Sequence, residues 1–171
     1  PDVLTFETPV LEYDVTLAGT VIADLLTSIS STDADFVVKL IDVFPNDFRY
    51  PGTQPNMSRS AGGDYPMGGY QMLVRGEIIR GRYRNSFSKP EPFKPNKVER
   101  VKFALPDVAH TFKKGHKIMV QIQSSWFPLV DRNPQKFVNI YECDDSDFQK
   151  ATIRIHHDVT NSSNIILPVI Q

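Results

Sequence analysis

The chain has 171 residues, of which 40% are hydrophobic and 23% charged, a composition typical of a globular domain with its own core. Its 19 basic and 20 acidic residues give a net charge of −1, which argues against nucleic-acid and membrane partners. Cys143 is the only cysteine, which excludes an intrachain disulfide and leaves the cellular compartment open. The chain starts with Pro1 and not with Met, so we expect it to be part of a longer protein.

The dominant hydrophobic period is two, which predicts β-strands. In chain order, the predicted strands are residues 3–8, 15–30 with a break at Gly19, 36–44, 71–84, 98–105, 116–123, 151–157 and 165–170. The 36–44 segment is apolar on both faces, as expected of a strand between two layers. The 106–114 segment predicts no more than one short turn. We therefore expect an all-β fold, a jelly-roll β-sandwich of the galactose-binding-domain-like kind with eight or nine strands.

Two long loops interrupt the predicted strands. Residues 45–69 contain four prolines and five glycines, and residues 124–149 are rich in aromatic side chains. Loops of this length inside a compact domain are usually functional or disordered. The composition of the first predicts a flexible excursion, whereas the second is expected to pack.

The sequence lacks the parts of a self-contained hydrolase. It contains no Gly-x-Ser-x-Gly nucleophile elbow, and near Ser60 the position of the first glycine is taken by Ser58. The four histidines fall on predicted turns or strand ends. We therefore assign no catalytic residue and expect no cofactor.

Two clusters of aspartates could offer oxygen ligands to calcium: Asp33 with Asp35, and Asp144, Asp145 and Asp147. Neither has the glycine and the terminal glutamate of an EF-hand loop. The alternative is that these side chains form solvated turns, in which aspartate accepts hydrogen bonds from its own backbone. His156 and His157 are adjacent, so on a strand they point to opposite faces and do not share a metal. We assign no metal ligand.

Arginines alternate in the segment EIIRGRYR, which would place Arg80, Arg82 and Arg84 on one face of the predicted 71–84 strand. A nucleic-acid site would need such a row inside a basic domain with stacking aromatics. Because this domain is neutral, we expect the row to pair with carboxylates of this domain or of a neighbouring one.

The segment SSWFPLVDRNPQ, residues 124–135, contains the only tryptophan of the chain. Pro128 ends the hydrogen-bonded ladder of the preceding strand, and residues 131–133 can form a compact turn. Two interpretations are open. The segment either seals one end of the sandwich or presents Trp126 and Arg132 to a partner surface or ligand pocket, where such side chains concentrate.

Several blocks of sequence together resemble a known family. They are PDVLTFET, DVTLAGTVIADLLTSISSTDADFVVKLIDVFP, MGGYQMLVRGEIIRGRYRNSF, LPDVAHTFKKGHKIMVQIQSSWFPLVDRNPQ and DSDFQKATIRIHHD. In this order they are similar to the C-terminal β domain of the cocaine esterase, X-prolyl dipeptidyl-peptidase and α-amino-acid ester hydrolase family. The forms GGYQ, RGRYR and SSWFPLVDRNPQ most resemble the branch of α-amino-acid ester hydrolases and glutaryl-cephalosporin acylases.

This resemblance implies that residues 1–171 form one non-catalytic domain of a larger serine hydrolase. Family members carry the Ser-Asp-His triad in an upstream α/β-hydrolase domain beside a helical cap, and their β domain helps to wall the acyl pocket. The implied partners are these upstream domains and a small substrate: an α-amino-acid ester, a β-lactam acyl side chain or an X-Pro peptide. By this analogy, the residues at the pocket rim or domain interface are Tyr65, Met67, Tyr70, Trp126, Phe127, Asp131, Arg132 and Asn133.

A second hypothesis is a carbohydrate-binding jelly-roll module, in which exposed aromatics stack on sugar rings. The candidates for stacking are Trp126, Tyr65, Tyr70 and Tyr141. A homo-oligomer is a third possibility, because a β domain separated from its neighbours would expose an apolar patch. The resemblance favours the domain interface over both.

Overall fold

The computed structural model describes residues 2–50 and 66–170. Within these ranges the chain forms ten β-strands and two 3-10 turns, at Gly81–Tyr83 and Asp145–Asp147. In chain order, the strands are β1 (Val3–Glu7), β2 (Val15–Gly19), β3 (Ile22–Ile29), β4 (Asp35–Val43), β5 (Gln71–Arg80), β6 (Glu99–Ala104), β7 (Val108–Phe112), β8 (Lys117–Gln123), β9 (Ile153–Ile155) and β10 (Asn164–Ile166). In the described part of the chain, no helix is long and apolar enough to cross a membrane.

The strands pair antiparallel in three sheets. The first sheet has the order β1-β8-β4-β5, the second has the order β10-β3-β6 with β9 also on β3, and the third joins β2 to β7. β4 is the central strand of the first sheet, which explains its run of apolar residues on both faces. This arrangement confirms the predicted all-β sandwich.

One hydrophobic core contains residues from all three sheets. Its largest fully buried side chains include Leu17 of β2, Leu25 of β3, Phe36 of β4 and Phe112 of β7. Along β3, every second residue from Ala23 to Ile29 is fully buried, as the period of two requires. The two long loops follow strands β4 and β8, and both strands contribute side chains to this core.

Several bounds of the predicted strands are wrong. The predicted 151–157 and 165–170 strands shorten to Ile153–Ile155 and Asn164–Ile166, and two other segments differ more. Residues 108–112 form strand β7, because pairing with β2 stabilises a segment whose His110 and Thr111 weaken its apolar alternation. The predicted 71–84 strand ends at Arg80, where Gly81 begins a 3-10 turn. A Cβ atom on Gly81 would lie 2.6 Å from the Phe93 ring and 2.7 Å from the Ala34 carbonyl oxygen, so the close packing here requires glycine.

Candidate docking surface

A buried polar cluster, the Asp–Arg clasp, joins the first sheet to the 124–149 loop; its members are Asp33, Asp35, Arg80, Arg82 and Asn133. Asp35 is the first residue of β4, and Asp33 precedes the strand by two residues. The exposed fractions of Asp33 and Asp35 are 0% and 1%. Arg80 Nε donates to Asp35 at 3.2 Å, and Arg82 Nε donates to Asp33 at 2.7 Å. The Asn133 amide donates to Asp35 at 2.8 Å and to Asp33 at 3.2 Å. Two carboxylates and two guanidinium groups thus balance around one neutral amide.

Both arginines of the clasp also hold the backbone of the loop, and Arg82 contacts one of its rings. Arg80 Nη2 donates to the carbonyl of Asp131 at 3.2 Å, and Arg82 Nη1 donates to the carbonyl of Val138 at 2.8 Å. The Arg82 guanidinium lies 4.8 Å from the centroid of the Phe137 ring. The loop is therefore attached on both sides of Asn133.

Loss of a single member of the clasp is expected to lower the stability of the fold strongly. Burial raises the pKa of the Asp35 carboxyl above its ordinary value, although the hydrogen bond from Asn133 and the charge of Arg80 act in the lowering direction. A carboxylate that is desolvated to this extent depends on its remaining partners. Removal of one partner leaves a buried charge without compensation.

The contacts of the clasp exclude both interpretations of Asp33 and Asp35 that the sequence left open. Asp33 and Asp35 are buried against guanidinium and amide groups, so neither the solvated turn nor a calcium ligand describes them. Asp144 and Asp147 form the capping box of the second 3-10 turn, and Lys136 donates to Asp147 at 2.7 Å. Over residues 2–50 and 66–170, no three His, Cys, Asp or Glu side chains are grouped so that they could hold a metal ion.

The predicted pairing of the arginine row with carboxylates of the same domain is confirmed, but the shared strand face is wrong. Arg82 lies in the 3-10 turn, and Arg84 follows it. Arg84 Nη2 lies 2.6 Å from Glu99 of β6, and the guanidinium stacks 3.9 Å from the centroid of the Phe93 ring. The row therefore divides: Arg80 and Arg82 hold the 124–149 loop within the clasp, and Arg84 pairs separately with Glu99 of β6.

Trp126 packs back onto the first sheet. The Lys39 ammonium lies 4.9 Å from the centroid of the indole ring, and a Cβ on Gly76 would lie 2.7 Å from its Cη2. Lys39 and Gly76 are register partners on β4 and β5. Strand β8 ends at Gln123, so Trp126 is placed by the loop and closes over this pair. Trp126 therefore packs against the first sheet and supports the sandwich; we call this contact the Trp126 buttress.

The same loop exposes an apolar ridge formed by Phe127, Leu129 and Tyr141. Their exposed fractions are 64%, 68% and 86%. Leu129 and Tyr141 line a cleft of about 530 Å³, and Arg80 and Arg82 of the clasp line it as well. The ridge is thus mounted directly beside the buried charges that hold the loop.

The site residues predicted in the 124–149 loop separate into two groups. Phe127, Asp131 and Arg132 are exposed, and the Arg132 guanidinium lies 5.7 Å from the Phe127 ring centroid. Trp126 is half-buried and Asn133 is 6% exposed, so both act behind the surface. Sequence reasoning missed Leu129, whose signal was an apolar side chain next to Pro128 in a loop.

The first long loop starts from an aromatic cluster. The Phe44 ring centroid lies 4.6 Å from that of His116, 4.7 Å from that of Phe48 and 5.7 Å from that of Tyr70. His116 Nδ1 hydrogen-bonds the buried Asp42 carboxylate at 2.8 Å. This cluster places Tyr70, which is 46% exposed, and its neighbour Met67 at the described end of the loop. The predicted site residue Tyr65 lies outside the described residues.

One serine and one histidine meet in the structure, although no motif in the sequence predicts this contact. Ser28 Oγ lies 2.9 Å from His156 Nε2, and Asp158 follows two residues later. Ser28 is 4% exposed and lies on β3, where Arg154 of β9 is its register partner. A nucleophile has to reach its substrate, so this contact is a structural link between β3 and β9.

The fold and the clasped loop define a β-sandwich module that presents an apolar ridge. The model of the X-Pro dipeptidyl-peptidase C-terminal non-catalytic domain matches residues 1–166, and the chain belongs to this family. The predicted resemblance is confirmed, and the family is one of non-catalytic domains.

Individual relatives agree with this assignment. The cocaine esterase of Rhodococcus sp. (strain MB1 Bresler) is 32% identical over 170 residues, which cover 99% of this chain and 26% of that protein. A solved α-amino acid ester hydrolase matches with a TM-score of 0.88 and 44% identity, over 99% of this chain and 26% of its own. An aminopeptidase from the marine sediment archaeon Thaumarchaeota archaeon matches with a TM-score of 0.86 and 42% identity, over the same shares. The chain therefore spans about a quarter of the length of these relatives.

Proposed function

We propose that residues 1–171 are a single C-terminal β domain of a serine hydrolase. The domain docks on the α/β-hydrolase and cap domains of the same chain and helps to wall the pocket for the acyl group. Family membership supports this, and so do relatives whose names denote an esterase, an ester hydrolase and an aminopeptidase. The substrate class is then a small acyl ester or amide, such as an α-amino-acid ester, a β-lactam side chain or an X-Pro peptide.

In this proposal the chemistry belongs to the upstream domain. A serine attacks the acyl carbon while a histidine takes its proton, and the acyl-enzyme forms as the ester or amide bond breaks and the alcohol or amine leaves with that proton. The histidine then acts as general base for water, which hydrolyses the acyl-enzyme and frees the serine. The β domain contributes shape and exclusion of water around the acyl group. Its residues therefore affect the position of the substrate more than the bond-breaking step.

The observation that carries the proposal is the apolar ridge on a loop held by buried charges. Large apolar and aromatic side chains in a stiff frame are typical of the centre of a protein interface. Leu129 and Tyr141 expose more than two thirds of their surface, an arrangement that burial by a neighbouring domain would stabilise. Asp131 and Arg132 are the residues proposed for the rim beside the ridge. Met67 and Tyr70 lie near the start of β5, at the opposite end of this strand from Arg80, and they stay proposed interface residues together with Tyr65.

Removal of the ridge in the full-length hydrolase tests docking. The double variant Phe127→Ala and Leu129→Ala is expected to raise KM by about tenfold or to release the β domain from the catalytic domain, as loss of interface anchors does. Limited proteolysis and KM for a p-nitrophenyl ester are the measurements. The matched control is Val159→Ala, which removes a fully exposed apolar side chain that does not line the cleft. Equal behaviour of the two variants would contradict docking through the ridge.

Activity of residues 1–171 by themselves is the second test. We expect no hydrolysis of p-nitrophenyl esters above a heat-inactivated control and no covalent labelling by a fluorophosphonate, because Ser28 is buried. Burst kinetics or labelling would overturn the non-catalytic assignment.

A carbohydrate-binding module is the second candidate, and the 86% exposure of Tyr141 beside a cleft favours it. Trp126 is directed to Gly76 and Lys39, which leaves less aromatic surface for stacking than the sequence predicted. Calorimetric titration with mono- and oligosaccharides separates the candidates. Saturable binding that Tyr141→Ala abolishes would favour the module over the docking domain.

A further inference from the structure

The Asn133 side chain occupies the centre of the clasp and uses both its amide donors and its amide oxygen there. Both donor contacts of its amide go to carboxylates, to Asp35 at 2.8 Å and to Asp33 at 3.2 Å. Its Oδ1 accepts from the backbone N–H of Gln135 at 2.8 Å, and Gln135 has a positive φ of 63°. Asn133 therefore sets the path of the loop backbone as well as its attachment to β4.

The charge balance of the clasp explains why an amide stands at this position. Asp33 and Asp35 are matched by Arg82 and Arg80, so the site is neutral before Asn133 is added. An aspartate in place of Asn133 would be a third carboxylate and would offer no donor. A lysine would add a third cation to a site that is almost fully buried. Only a neutral group with two donors satisfies both carboxylates at once.

The clasp is coupled to the ridge through short stretches of backbone. Arg80 holds the carbonyl of Asp131, two residues after Leu129, and Arg82 holds the carbonyl of Val138, three residues before Tyr141. The same two arginines line the cleft between Leu129 and Tyr141. A change in the clasp therefore moves both walls of the cleft.

We propose that Asn133 is the positioning residue of the docking surface, which fixes the apolar ridge by linking Asp33 and Asp35 to the loop. This rests on the proposed function, because the ridge is the surface that the catalytic domain would meet. Asn133 touches neither substrate nor partner in this role. It acts through the backbone of residues 126–141.

The loop itself provides the first test, in residues 1–171. Asn133→Asp keeps the size of the side chain but replaces two donors by a negative charge, and it is expected to speed amide hydrogen exchange in residues 126–141 by about tenfold or more. Strand β4 amides serve as the internal reference. The matched control is Asn164→Asp, the same change at an exposed position of β10. Unchanged exchange in the loop would overturn the proposal.

A second variant guards against a general loss of folding. Asn133→Asp combined with Asp35→Asn restores one amide–carboxylate pair with its direction reversed, and it is expected to recover at least about half of the lost protection. Recovery shows that the hydrogen bond between an amide and a carboxylate holds the loop, whichever of positions 133 and 35 carries the amide. If both variants exchange equally fast throughout β4 as well, Asn133 supports the whole fold and the specific positioning role is overturned.

Kinetics of the full-length hydrolase give the second readout. Asn133→Asp is expected to raise KM by about fivefold with kcat changed less than about twofold, because the wall of the acyl pocket moves while the triad does not. A loosened loop with unchanged KM would leave the positioning role intact and count against the ridge as pocket wall. An unchanged loop with raised KM would count against the positioning role and leave docking standing.

Discussion

The two long loops of this domain are anchored by opposite kinds of chemistry. The first starts from tilted and edge-to-face rings around His116, which Phe44 and Phe48 contact, whereas the second is held by the buried charges of the Asp–Arg clasp. Packed rings tolerate small displacements, because aromatic attraction changes gradually with distance and angle. Buried ion pairs do not, because each lost partner leaves a desolvated charge. The second loop is therefore held by contacts that even a small displacement would break.

The largest effect is expected from Arg82→Ala. It leaves the fully buried Asp33 carboxylate without its main cation, which costs about 3–5 kcal/mol of unfolding free energy. Urea unfolding followed by circular dichroism measures it. Arg100→Ala, which breaks an ion pair with Asp24 at the surface, is the control and is expected to change stability little. Similar losses in the two variants would remove the distinction between clasp and surface pair.

The first loop gives a smaller effect that depends on ring shape. His116→Phe keeps a ring beside Phe44 but removes the hydrogen bond to the buried Asp42, so we expect a loss of about 1–3 kcal/mol. His116→Ala removes ring and hydrogen bond together and is expected to lose more, by the same urea measurement. If His116→Phe is as destabilising as His116→Ala, the contacts between the rings do not anchor this loop.

The Trp126 buttress is expected to respond still more weakly. Gly76→Ala places a methyl group against the indole ring and costs about 1 kcal/mol, because the half-buried ring can shift outward. A red shift of tryptophan fluorescence reports the movement, since Trp126 is the only tryptophan. In the background of Trp126→Ala the cost of Gly76→Ala should vanish. Additive losses would contradict direct contact.

The smallest effect is a pH dependence with a defined sign. Because burial raises the pKa of Asp35 above 3.8, the folded state binds this proton more tightly than the unfolded chain. The stability that wild type holds over Asp35→Asn is therefore greatest at acid pH and declines as the pH rises from 3.8 through the raised pKa.

The opposite sign at Asp24 is the control for this measurement. The hydrogen bond from Arg100 lowers the pKa of Asp24, so its contribution is present above 3.8 and is lost as the pH falls through the lowered value. Urea unfolding of wild type, Asp35→Asn and Asp24→Asn between about pH 2 and 7 checks both, because the Asp24 window lies below 3.8 and the Asp35 window above it. Slopes of equal sign would show that the clasp does not desolvate Asp35.

The sequence contains most of the information that sets the strands. The alternation in β3 and the two-sided apolar run in β4 arise from side chains that the next layers bury, so periodicity alone predicts them. The clasp had no local signal. Asp33 and Asp35 look like turn formers, because their partners lie between 45 and 100 residues away in the chain. Only the meeting of β4, the end of β5 and the second loop turns these aspartates into buried charges.

The ridge could be predicted only in part for the same reason. Phe127 is predicted only through the family resemblance, and Tyr141 only as a candidate for stacking on sugars. Leu129 and Tyr141 come from two arms of the loop that meet across the cleft, which the sequence does not show. Which aromatic faces inward depends on the contact of Trp126 with Gly76, a glycine that the pattern of β5 does not explain. A local sequence pattern does not show which side chains, far apart in the chain, will contact each other.

The separation of inward and outward side chains in the second loop makes it suitable for directed evolution. Asn133 and Trp126 hold the loop from behind, while Phe127, Leu129 and Tyr141 make few demands on the fold. A library that randomises the three outward positions and keeps the two inward ones should retain expression yield across most of its members. Under the proposed function, selection on such a library would show which side chains at these positions docking on the catalytic domain tolerates.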